Sequence, residues 1–209
     1  MKYSIRIPVL FLFFLTTAYS QGFNVKASGE KTFSFNDKSN QAMFFSTTPL
    51  EDVTGISKEV NGTVSFNVSD VKSLKGKISI LTGSIKTGID LRDEHLKSAN
   101  WLDAESYSEI SFVIKNVSDI KQIEVNKLQA KVTGDFTAHG VTKEVSADVT
   151  MTYLDESEKT KAKGPGDFLG VEAKFSIKLS DYNVNNVALG VRVSEDIEVT
   201  ATLVGSFAK

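Results

Sequence analysis

The strongest constraint on this chain is a period of two. After Gly22, apolar side chains return at every second position through most of the sequence. Val64, Phe66 and Val68 alternate with Ser65 and Asn67, and Ile110, Phe112 and Ile114 share a parity. Val132, Phe136 and Ala138 flank Gly134 on one parity, with Lys131, Thr133, Asp135 and Thr137 on the other. Val145, Ala147, Val149, Met151 and Tyr153 are opposed by Glu144, Ser146, Asp148, Thr150 and Thr152. Ala173, Phe175, Ile177 and Leu179 repeat the pattern, as do Ile197, Val199, Ala201 and Leu203. Successive side chains of a strand point to opposite faces, so each segment reads as a strand with one buried and one wet face.

One-sided burial favours antiparallel pairing, because parallel strands covered on both faces read as unbroken apolar runs. Turn signals separate the segments at Asn61-Gly62, at Gly140 within His139 to Lys143, and at Gly164-Pro165-Gly166. No repeat of fixed length argues for a propeller or solenoid. The expected fold is all-β and antiparallel, of about eight or nine strands, closed as a barrel or packed as a sandwich. One helix is expected from Asp90 to Leu102, with Asp90 as its cap, an Asp93–Lys97 pair, and Leu91, His95, Ala99 and Leu102 on one face. It would cover an open end, as a lid or as a plug. Ser46 to Glu59 and Asp181 to Ser194 read as long loops at a barrel rim.

Composition removes many chemistries. The chain has 209 residues and no cysteine, so disulfides, thiolate metal sites and thiol nucleophiles are excluded. Its formal charge of -2, without a basic block, argues against nucleic acid as a partner. Residues 1–20 carry Lys2 and Arg6, an apolar run too short to span a bilayer, and small Ala18 and Ser20. This reads as a signal peptide cleaved near Ser20/Gln21, leaving one domain over 21–209, periplasmic or secreted and not stably inserted in a membrane. A homodimer stays open.

Little points to catalysis. His95 and His139 are the two histidines, and neither lies in a recognisable metal or nucleophile motif. A hydrolase-like enzyme would need one of them to meet nearby carboxylates; no cofactor or metal is called for. What remains is the interior. Phe112, Ile114, Phe136, Val149, Met151, Phe175 and Ile177 are expected to point inward beside small Gly134, Ala138, Ala147, Ala173 and Ala201. That mixture fits a slot for a slender ligand as well as it fits an interior filled by its own side chains and used as an interaction module.

Three segments, in order, carry a resemblance. Ser84-Ile85-Lys86-Thr87-Gly88, followed by Leu91-Arg92-Asp93-Glu94-His95-Leu96-Lys97-Ser98-Ala99-Asn100 and Ile110-Ser111-Phe112, resembles the most characteristic block of the YceI-like family. Gly134-Asp135-Phe136-Thr137-Ala138-His139-Gly140-Val141-Thr142-Lys143-Glu144-Val145 is similar to its second hallmark, and Phe175 to Tyr182 to a third. The resemblance implies an exported, antiparallel lipocalin-like β-barrel of about eight strands with one short helical segment capping an end, whose elongated apolar cavity holds a polyisoprenoid or other long-chain lipid, without catalytic residues. Two departures stand out against the family pattern. Met43 to Asp52 has no histidine, and Leu179 and Asn183 replace the arginine and glycine that many members carry.

Overall fold

In the computed structural model, which describes residues 21–207, ten strand segments form one antiparallel sheet that closes on itself. The leader expected over residues 1–20 lies outside the described residues. The segments are β1 (Glu30–Ser34), β2 (Gln41–Thr47), β3 (Asp52–Ser57), β4 (Val60–Asn67), β5 (Asp70–Leu81), β6 (Glu109–Glu124), β7 (Lys127–Ala138), β8 (Val141–Leu154), β9 (Asp167–Lys178) and β10 (Asp196–Phe207). They amount to eight staves. β1 and β2 run one after the other along β10, and β4 and β3 run along β1 and β2 in turn, so each pair is a single stave broken in the middle.

The break between β1 and β2 is repaired by a side chain. Asn40 is fully buried; its Oδ1 accepts from the Val204 amide at 2.6 Å, and its Nδ2 donates to the Val204 carbonyl at 3.3 Å. Its carboxamide stands in for the missing backbone unit, which leaves neither group of Val204 unsatisfied. The second broken stave is looser: beyond its hairpin partner β2, β3 is tied across to residue 86 by one bridge, in which the Ile56 and Lys86 amides each donate to the other's carbonyl at 2.8 and 2.9 Å.

The stretch Ser46 to Glu59, expected as a loop, therefore contains most of a hairpin. Its strand half, Asp52-Val53-Thr54-Gly55-Ile56-Ser57, alternates buried and exposed positions, but Pro49 and Gly55 mask that alternation in sequence. The β7–β8 connection is a two-residue turn in which His139 and Gly140 both take positive φ, 47° and 72°. This is the twist-matched hairpin geometry, and it suits glycine.

The two ends of the barrel are packed differently. At one end Phe23, Phe33, Phe66 and Tyr153 form an aromatic cluster, with Phe33 and Phe66 stacked at 5.8 Å and Tyr153 set edge-on to Phe33 at 5.6 Å. The segment before β1 crosses this end. Its Phe23 amide donates to the Val68 carbonyl, its Asn24 amide to Val125, and the Lys26 and Ala27 amides to the Asp155 carboxylate. Asp155 thus clamps the plug, although its acidic and basic neighbours make it read as ordinary solvated surface. At the other end the inward residues of β9 and β10, Phe175, Ile177, Val199 and Ala201, are only half-buried. The same period-two pattern that gives full burial on β8 here borders a void.

Candidate functional site

The void is a cavity of about 720 Å³. Its walls are Ala42 and Phe44 of β2, Ile78 and Ile80 of β5, Ile110 and Phe112 of β6, Phe136 and Ala138 of β7, Phe175 and Ile177 of β9, and Ile197, Val199 and Ala201 of β10. Space at its waist depends on glycine. A Cβ on Gly134 would lie 2.4 Å from the Val113 carbonyl and 2.5 Å from the Phe112 ring, and one on Gly55 would lie 2.0 Å from the ring of Phe44. Each ring occupies space that a side chain at the glycine would need.

Of the inward residues expected from sequence, Phe112, Phe136, Phe175 and Ile177 line the cavity. Ile114, Val149 and Met151 lie below it, in or against the continuous core that includes the aromatic end. Alternation gives which face a side chain takes and not how deep along the barrel it lies. A second concavity, of about 850 Å³, lies over β7–β10 among Lys131, Asp148, Glu172 and Lys174. Those are side chains of the outward parity, so it is a solvated groove on the outer wall.

The mouth is covered by α1 (Asp90–Lys97) and the turns after it, and by the segment between residues 183 and 195. α1 stops five residues short of the expected Leu102. Its N-cap is Ile89 and it receives no side-chain cap, and Lys97 pairs with Glu94 and not with Asp93. Leu91, His95 and Leu96 border the cavity from above, so the helix is a cover over space and not a plug within it.

Asp93 is used elsewhere. It is buried, and its Oδ1 accepts from both the Thr87 amide and the Thr87 hydroxyl at 2.7 Å, while Lys86 lies 3.6 Å from Oδ2. The Thr87 hydroxyl in particular holds its carboxyl below the ordinary carboxylate value. Thr87 Oγ1 in turn accepts from Arg92 Nε at 3.0 Å, and Arg92 Nη1 lies 3.5 Å from Glu51 of the β2–β3 turn. This chain of contacts fixes the helix to the strand end and to the neighbouring hairpin. On the other side Trp101 and Leu102 pack with Leu179, Val184, Leu189 and Val193, the Asn186 side chain donates to the Asn100 carbonyl, and the Ser194 amide donates to Ser46. Nothing in the sequence marked these cross-links, since each joins residues distant in the chain.

The two histidines sit in different settings. His139 Nδ1 donates to the Tyr182 carbonyl at 2.9 Å and its ring meets Tyr107 edge-on, which fixes the β7–β8 turn. His95 borders the mouth from α1. Among the described residues, no group of three or more His, Cys, Asp or Glu could hold a metal ion, and no helix is long and apolar enough to cross a membrane.

A family model described as the YceI-like domain matches residues 33–205, every stave of the barrel. The chain belongs to the YceI-like family. A UPF0312 protein of Pseudomonas fluorescens is 34% identical over 130 residues, 62% of this chain and 63% of that protein, so the match spans a little under two thirds of its length. A UPF0312 protein of Staphylococcus aureus is 29% identical over 157 residues, 73% of this chain and 84% of its own. Among solved structures, the Campylobacter jejuni YceI protein superposes with a TM-score of 0.64 at 21% identity, over 78% of this chain and 89% of that one. A polyisoprenoid binding domain from Saccharophagus degradans gives 0.62 at 15% identity, over 84% and 98%. At such identities these structural neighbours show the barrel fold alone.

Proposed function

We propose that this YceI-like barrel is an exported carrier that holds a polyisoprenoid or similar long-chain lipid, noncovalently and without chemical change, in the cavity under α1. The observation that carries this reading is the cavity of about 720 Å³ with a predominantly apolar wall. It falls within the range of about 300–1,000 Å³ typical of small-molecule sites. Burial of a hydrocarbon chain contributes about 0.8 kcal/mol per methylene, so a slender apolar molecule gains affinity along its whole length without directed polar contacts. The family, and a structural neighbour named for polyisoprenoid binding, support the same ligand class. The signal-peptide pattern of residues 1–20, with Lys2 and Arg6 before a short apolar run and small Ala18 and Ser20, supports the exported part of the reading. The chain has no cysteine for a thioether link, which agrees with a lipid held noncovalently.

The test is native mass spectrometry of protein purified gently from its own cells. Extractable hydrophobic mass, or uptake of added polyprenyl lipid, is expected; an apo mass that takes up nothing overturns the reading. Phe136→Asp, an unpaired charge on the inner wall, is expected to abolish lipid retention or folding. Mature protein beginning at Met1 in a cell fractionation would overturn the exported part alone.

A further inference from the structure

The apolar character of the cavity continues outside it. Ile89 and Leu91 line the mouth, yet each has more than half of its surface open to solvent. Three further aliphatic side chains stand around the same opening. Leu50 sits in the β2–β3 turn beside Glu51, and Val187 and Val191 belong to the segment between residues 183 and 195, where Val187 is fully exposed. The remaining exposed apolar side chains are spread over the outer wall, as Phe45, Leu81 and Val113, or lie at the aromatic end, as Ile123, Val125 and Leu154.

Val187 and Val191 do not serve packing. Their loop is closed by its own backbone: the Leu189 amide donates to the Asn186 carbonyl, the Gly190 amide to Val193, and the Arg192 amide to Ala188. Leu189 and Val193 pack down on the cluster of Leu179, Val184 and Ile197. The inward apolar positions are thus filled, and the outward ones carry valine where a polar side chain would suit water better. Arg92 meets Glu51, the Asn186 side chain bonds residue 100, and the Ser194 amide bonds Ser46, so turn, helix and loop form one continuous cover.

Charge at this end indicates what the rim meets. Arg92 faces Glu51, Lys97 faces Glu94 and Lys86 faces Asp93. Arg192 at the mouth adds a cation, while exposed Asp52 and Asp90 add anions. Such mixed charge builds no field that would recruit an acidic or a basic surface. What the rim offers is aliphatic area around the opening of a largely apolar cavity, and a long-chain molecule leaving that opening into water would expose each methylene in turn.

We propose that the rim of Leu50, Ile89, Leu91, Val187 and Val191 docks peripherally on a lipid bilayer, setting the mouth against the acyl region so that cargo passes without crossing water. This rests on the reading of the cavity as a lipid site and names the surface at which that site is loaded and emptied.

The test is co-sedimentation of protein purified from its own cells, wild type and variants alike, with vesicles of zwitterionic phosphatidylcholine and phosphatidylethanolamine. Wild type is expected to bind at low and at high salt. The combined variant Leu50→Ser, Val187→Ser, Val191→Ser is expected to bind roughly tenfold or more weakly and to move polyprenyl lipid between vesicles correspondingly more slowly. Its uptake of the same lipid from an aqueous dispersion is expected to match wild type, since none of the three lines the cavity. Ile123→Ser with Val125→Ser, at the aromatic end, is expected to change nothing. Trp101, the chain's single tryptophan, borders the mouth, and brominated phosphatidylcholine is expected to quench its emission in wild type more than in the triple variant. Wild type that leaves zwitterionic vesicles unbound, or binds only anionic ones at low salt, overturns the docking surface and leaves the lipid reading intact. Equal binding by the triple variant, loss of binding in the hairpin variant, or unquenched Trp101 does the same. Failure of wild type to take up polyprenyl lipid from dispersion overturns the lipid reading, and the transfer role with it, whatever the vesicles show.

Discussion

Two buried tyrosines, at opposite ends of one barrel, set the ends apart. Tyr153 and Tyr182 are each set edge-on to a phenylalanine ring, at 5.6 Å in both cases, and each is almost wholly inaccessible. Tyr153 donates to Asp167 Oδ2 at 2.8 Å; Asp167 also accepts the Glu156 amide, and Lys31 stands 4.0 Å away while lying over Phe207. Burial and this carboxylate both raise the Tyr153 phenol, which stays a donor throughout. Tyr182 has no such partner. Where every polar group is answered from within the chain, the interior is finished by folding. At the other end one hydroxyl is left without a partner within the chain.

The comparison breaks most sharply on volume. Phe33→Ala at the packed end is expected to cost about 3–5 kcal/mol in denaturant unfolding, because nothing can collapse into the hole. Phe175→Ala, which enlarges a space already present, is expected to cost less than half of that while changing lipid uptake. Equal costs would mean that the two ends are equally filled.

A smaller effect separates the tyrosines themselves. Tyr153→Phe removes a hydrogen bond to a buried carboxylate and is expected to cost about 1.5–3 kcal/mol, whereas Tyr182→Phe costs the empty protein nothing. Chemical denaturation of the two variants side by side measures the difference.

The smallest effect is one of acidity. Thr87 holds the Asp93 carboxyl below its ordinary value of 3.8, so the folded state favours the ionised form. The resulting stability is fully present above that value and is lost as the pH falls through the lower folded-state value. Unfolding midpoints measured at neutral pH and below 3.8 are expected to draw together in Asp93→Asn compared with wild type, with the α1 end of the molecule loosening first on acidification.

Much of this was legible in the sequence, and the limit is physical. Alternation along 145–153 and 197–203 identified strands, faces and closure, because side-chain parity follows from backbone geometry alone. It could not distinguish Met151, 1% exposed, from the half-buried Phe175, since both occupy inward positions and differ only in height along the barrel. Asp90 read as a cap and Asp93 as the partner of Lys97 because helix signals are local, yet the residue that claims Asp93, Thr87, lies before the helix. Asn40, Asp155 and Tyr182 act through residues at separations of 164, 128 and 43 positions, and no local pattern encodes those meetings.

The broken stave of β3 and β4 has a mechanical consequence. Along most of its circumference the wall is stitched by ladders that span most of a strand, such as the unbroken register from Asp196↔Lys178 to Phe207↔Asp167. Beside the mouth, the outer edge of β3 meets its neighbour through the two main-chain hydrogen bonds between Ile56 and Lys86 and one side-chain bond, Ser57 Oγ to Ser84 Oγ at 2.7 Å. The wall is therefore joined by fewer main-chain bonds on one side of the cavity than elsewhere, and the residue following that seam, Thr87, is the one that holds the helix cover through Asp93. Wall and cover share an anchor point.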